Sequence, residues 1–204
     1  MTVSAQLGVC RSVRFVPGGD GMASSNVERK ETLYFGSEGP DCTDATLSAA
    51  VKRACELGIT RIVVASTSGA TAMHLASKVK ELKPRIKVVA VTYHAGNRKP
   101  DQMAMPHKAR SKLESMGVDV VVATHAFSGL SRSFSNKFGG TSIPEVIAEA
   151  YRRISQGFKV AVECSIMAAD AGKVSTLEEV VALGGSGKGC DTALVLRPAN
   201  MNRF

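Results

Sequence analysis

Between residues 61 and 124 the chain repeats one pattern: a short, almost wholly apolar run, a turn rich in hydroxyl or His residues, then an amphipathic stretch. The apolar runs cover 61–66, 87–92 and 118–124. Strands without polar alternation must be buried on both faces, which calls for a parallel sheet covered by helices on each side. The pattern predicts helices over 44–57, 70–82 and 106–116. In the first, Leu47, Ala50, Val51, Ala54 and Leu57 recur at helical spacing, and Gly58 suits the stop.

The remainder reads less regularly. Residues 32–35 are expected to form a short strand. Ser142 and Glu145 make a capping box that opens a helix to about Gln156, with Gly157 as its stop. Residues 159–165 are expected to be a strand, and Ser175 with Glu178 to open a turn of helix. Strands at 180–183 and 193–197 are close in sequence and are expected to pair antiparallel. The chain thus reads as one α/β domain over 31–204. Residues 1–30 have no acid before Asp20 and no sustained periodicity. They are expected to be a dispensable tail: either a disordered, weakly targeting-like extension, or the product of a start placed ahead of Met22.

With 26 Lys and Arg against 18 Asp and Glu, the 204-residue chain carries a net charge of +8. That favours anionic partners without choosing among them. The cations are scattered, Trp is absent, and no nucleic-acid-binding motif occurs, so nucleic acid is not the expected partner. No apolar run is long enough to cross a bilayer, so no membrane association is expected. The Cys at 10, 42, 55, 164 and 190 are odd in number and dispersed. Such a set suits a reducing, cytoplasmic location rather than a disulfide frame or a metal site.

Ligands in open α/β sheets bind outside the carboxyl ends of the strands, so the residues after each strand are the candidates. Ser66, Thr67, Ser68, Gly69 and Thr71 gather four hydroxyls and a glycine at a helix N-terminus, a natural phosphate site. Tyr93 and His94 follow the second run. His125, Ser128 and Gly129 follow the third. Residues 128–142 are basic and hold no acid; they read either as a lid or as a solvated loop. Glu163 is unusual in an apolar segment and needs a partner, either a ligand hydroxyl or a cation. The loop 184–192 offers Gly187, Lys188, Gly189, Asp191 and Thr192. It is not a Walker A loop, because Ala182 stands where the first Gly belongs and Gly189 follows the Lys. No catalytic triad assembles, and the spacing of the four His suggests no metal site.

Thr67-Ser-Gly-x-Thr71, between strand and helix, resembles the effector-phosphate loop of the pyruvate kinase C-terminal domain. Thr32-Leu-Tyr-Phe, Val63-Val-Ala-Ser, Val91-Thr-Tyr-His94, Ser128-Gly-Leu, Ile166-Met-Ala-Ala-Asp170, Asp191-Thr-Ala and Arg197-Pro-Ala are similar to a narrower group. These are prokaryotic proteins that consist of this domain alone. The resemblance spans about residues 31–204 and implies a three-layer α/β/α fold with a mostly parallel sheet. It also implies flavin mononucleotide (FMN) as cofactor, no kinase activity, and Thr67, Ser68, Gly69 and Thr71 as the phosphate loop. A homodimer is expected by analogy with the contacts such domains make. The expected function is binding of a phosphorylated small molecule, FMN first, with flavin-dependent redox chemistry if any. The alternative is a sensory module for a sugar phosphate.

Overall fold

The computed structural model describes residues 31–82, 85–97 and 99–204. The tail expected over 1–30 lies outside them. Five strands form one sheet: β1 (Arg61–Ala65), β2 (Lys87–Tyr93), β3 (Asp119–Ala123), β4 (Val180–Gly184) and β5 (Thr192–Leu196). Their order is β3-β2-β1-β4-β5. The first four are parallel, with Ile62 opposite both Val88 and Val181, and β5 runs antiparallel to β4. This is the mostly parallel α/β sheet that the apolar runs predict.

Each strand is apolar on both faces because each face is roofed. Ile62, Val64, Val88, Ala90, Val181 and Leu183 point toward α1 (Thr43–Leu57), α2 (Ala70–Leu82) and α3 (His107–Ser115). Val63, Val89, Val91, Val121 and Val180 point the other way, onto Cys164, Met167, Ala168 and Ala169. Those four belong to α6 (Gln156–Asp170), which touches all five strands. Outside α6 lie α5 (Ile143–Arg152) and, against α5, α4 (Gly129–Phe138).

Four expectations are corrected. Residues 159–165 are helix, not strand. They sit in the middle of α6, ten of whose fifteen residues are buried between the sheet and α5. A helix covered on nearly all sides has no polar stripe, so its apolar run imitates a buried strand. The helix opened by Ser142 has its capping box but stops at Arg152, and Ser155 caps α6 by accepting the Phe158 N–H at 2.9 Å. Gly157 therefore starts a helix rather than stopping one. Residues 32–35 form no strand; Leu33 and Tyr34 are exposed there. Ser175 and Glu178 open no helix: the Ser175 hydroxyl accepts the Leu177 N–H in a bend.

Candidate functional site

The chain runs β1-β2-β3 to one side of β1, then returns across the sheet through α6 to β4 on the other. The carboxyl ends of β1 and β4 thus flank the reversal in strand order, where open α/β sheets leave a crevice. Beside it, between the ends of β1 and β2 and the first turns of α6, lies a cavity of about 240 Å³. Six expected site residues line it together: Ser66, Thr67, Tyr93, His125, Ser128 and Glu163.

The backbone there is fixed by short polar contacts. Thr92 Oγ1 donates to the Thr67 carbonyl at 3.1 Å, tying the turn after β1 to β2. The Ser66 hydroxyl accepts the Ala72 N–H at 3.2 Å and so caps α2 from outside the helix. Met73 N–H finds Gly69 O. Among the described residues nothing accepts from the amides of Ala70 and Thr71, which leaves two open donors at the positive end of a thirteen-residue helix. Gly69 holds a left-handed φ of 92° and packs against α3, where an added Cβ would lie 3.3 Å from Leu113. Ser68 is exposed and Thr71 half-buried.

The His pair meets at the same edge. His125 lies against Tyr93, ring centroids 4.6 Å apart, and edge-on to His94 at 6.2 Å. His94 Nδ1 is buried without a hydrogen-bond partner among the described residues. Burial pushes the His125 pKa below its ordinary 6.5, opposed by Glu163 and helped by Lys159, His94 and Arg132. A His that resists protonation in the fold withdraws stability as pH falls from the unfolded pKa toward the folded one. In a proton-resolved titration, His125 should therefore turn over below pH 6.5. Thermal stability should decline with acidification in the window just beneath that value. A midpoint at or above 6.5 would contradict the burial seen here.

Sequence reasoning missed most of the cationic wall. Arg152, Gln156 and Lys159 line the cavity with Arg132. Arg132 comes from α4, so the segment read as a lid or loop is a helix over most of its length. Gly129 opens α4 with φ 40° close to Thr124. Arg152 Nε donates to Gln156 Oε1 at 2.9 Å, and its guanidinium also pairs with Glu149. Glu163 resolves in favour of a cation: it pairs with Lys159 one turn away and also accepts the Phe127 N–H at 2.9 Å. The i,i+4 spacing of Lys159 and Glu163 inside an apolar run was the available signal for a helix.

The glycine-rich loop does not line this cavity. The Asp191 carboxylate is used internally, accepting from Gly39 N–H (3.1 Å), Ser186 N–H (3.0 Å) and the Thr192 hydroxyl (2.9 Å). Gly189 turns with φ 74° against Pro40 and Thr43, while Gly187 and Lys188 are exposed. The loop thus stitches β5 to the start of α1. Cys164 and Cys190 are buried and their thiols are pushed up to about 12, chiefly by desolvation. Cys55 is exposed. Of the four described thiols, only Cys55 should react promptly with a disulfide reagent in the native state. Fast modification of Cys164, read by mass mapping, would contradict this packing.

A wider groove of about 770 Å³ lies at the opposite edge, between the ends of α2 and α3. It is lined by Lys80, Lys87 and Lys112 but gathers no buried polar group, so the smaller cavity is the better candidate. Among the described residues no cluster of His, Cys, Asp or Glu suits a metal ion, and no helix is long and apolar enough to cross a membrane.

Residues 44–196 match the family model of the pyruvate kinase alpha/beta domain. The chain belongs to that family. The pyruvate kinase alpha/beta domain described here is also similar to a solved pyruvate kinase from Cryptosporidium parvum. That match has 13% identity and a TM-score of 0.39, over 78% of this chain and 23% of the other. The domain thus spans under a quarter of that enzyme's length.

Proposed function

We propose that this pyruvate kinase alpha/beta domain binds a phosphorylated small molecule in the cavity at the carboxyl edge of its sheet. One observation carries the reading. Arg132 lines a cavity in which the one carboxylate among the described residues, Glu163, is already engaged, and the Arg132 guanidinium makes no hydrogen bond or ion pair among the described residues. Arg152 pairs with Glu149, which it shares with Arg153, and Lys159 pairs with Glu163. Arg132 acts on Glu145 only through its field, so among the described residues the wall keeps one guanidinium with no direct partner, beside hydroxyls from Ser66, Thr67 and Ser128. A planar guanidinium with neighbouring hydroxyl and amide donors is suited to a phosphate.

FMN is the first ligand to test. Its phosphate fits the donor set, and Tyr93 with His125 offers aromatic surface. Bound there, the flavin would supply electron and hydride transfer, while the chain binds and orients it. A second reading is a sensory site for a sugar phosphate. The cavity size favours it, since 240 Å³ is below the roughly 300–1,000 Å³ of pockets that enclose a whole drug-sized ligand. Loss of a charged hydrogen bond to phosphate is worth about 1.5–3 kcal/mol. Calorimetric titration of Arg132→Ala should therefore show affinity for the preferred ligand lower by about tenfold or more. Ser68→Ala with Thr71→Ala tests the helix end separately. Unchanged affinity in all three substitutions would remove the phosphate from this edge.

A further inference from the structure

Lys159 is more than a charge partner for Glu163. It stands in the first turns of α6 with its side chain 6% exposed, and Glu163 has 3% exposed. Placing an ion pair so deep is costly, and an apolar pair would pack there as well. Glu163 is satisfied: one oxygen takes the Phe127 N–H and the other takes Lys159. The ammonium is not. It has three donors, Glu163 accepts one, and the Phe127 ring lies 5.7 Å from Nζ. No other acceptor reaches Nζ among the described residues. Both side chains line the same cavity as Arg132. Its charge is matched, yet it still lacks acceptors.

We propose that Lys159 is the second anchor of this site, donating to a neutral carbonyl oxygen on the phosphorylated ligand. The inference rests on the phosphate reading above. Neutrality follows from Glu163: a carboxylate at Lys159 would meet a second carboxylate in a buried space walled by Val160, Cys164 and Met167. Arg132 selects the phosphate and Lys159 the carbonyl, so the ligand class is a phosphate ester with a carbonyl group within one small cavity. The ring carbonyls of FMN and the free carbonyl of an open-chain sugar phosphate share that chemistry. Glu163 acts through Lys159 as a positioning residue.

The test is titration of the full chain with inorganic phosphate, FMN and fructose 6-phosphate. It is repeated on Lys159→Met with Glu163→Gln, which removes both charges and keeps an acceptor for Phe127. Inorganic phosphate should bind both proteins within twofold. The carbonyl ligand should lose tenfold or more in the double variant; whether FMN or fructose 6-phosphate shows that loss identifies the source. An equal loss for inorganic phosphate, or no loss for either carbonyl ligand, overturns the proposal. So does a wild-type chain that binds phosphate but neither carbonyl ligand, although the phosphate reading then stands. A wild-type chain that binds none of the three overturns both. Should the double variant not fold, nitrogen-15 lysine spectra of the wild type decide. The Lys159 Nζ signal should move with the carbonyl ligand and stay with inorganic phosphate; a stationary signal with every ligand overturns the proposal.

Discussion

Lys159→Met alone should destabilise the fold by about 3–5 kcal/mol, because it strands a buried carboxylate. Glu163 would retain the Phe127 amide but lose its one paired cation among the described residues, at 3% side-chain exposure. In a chain of this length each kcal/mol moves the melting temperature by roughly 2–4 °C, so a fall on the order of 10 °C is expected. The double change with Glu163→Gln should recover most of that loss, since a neutral amide needs no counter-charge. Scanning calorimetry on the two variants checks both statements. If the single variant melts like the wild type, the ion pair is not buried as described.

Gly184→Ala should cost a comparable amount by a different route. A Cβ built on Gly184 would lie 2.1 Å from the Gly157 carbonyl oxygen and 2.8 Å from the Ala161 amide. Both are backbone atoms, so no side chain can swing aside. Overpacking costs about 1–3 kcal/mol where side chains give way, and here α6 itself must lift from β4. The upper end of that range or more is expected, read as a lower denaturant midpoint. Gly157→Ala meets the Thr192 hydroxyl at 2.2 Å on the same contact. An unchanged midpoint for Gly184→Ala would mean that the helix and strand lie further apart than described.

Those two contacts also mark where sequence reading reached its end. The elements of the first half were legible for two reasons: α1 with its Gly58 stop and α2 over Ala70–Leu82 each set an apolar stripe against a polar face, and the short unbroken apolar runs between such helices became β1, β2 and β3. Near α6 the same logic misled. Residues 159–165 have no solvent side to betray a helical period, and Gly157, read as a stop, is a close-approach glycine. The site was split accordingly. Ser66, Thr67, Tyr93, His125, Ser128 and Glu163 were reachable because they follow strands or stand out by charge. Arg152, Gln156 and Lys159 were not, because their meeting depends on the break between α5 and α6. The roles of Asp191 and Thr192 could not be read either, since contacts with Gly39 and Gly157 come from distant parts of the chain.

One helix roofs an entire face of the sheet, and that helix comes late in the chain. A ribosome delivers β1, β2 and β3 with their three covering helices before residue 124, and α6 only after residue 155. Until then Val63, Val89, Val91 and Val121 form an uncovered apolar floor, and the slot beside β1 awaits β4. At about 5–20 residues per second, that floor stays bare for several seconds or less on each nascent chain. The newborn domain therefore exposes apolar surface until α6 arrives, and a fragment ending before α6 should aggregate rather than persist as a half-domain.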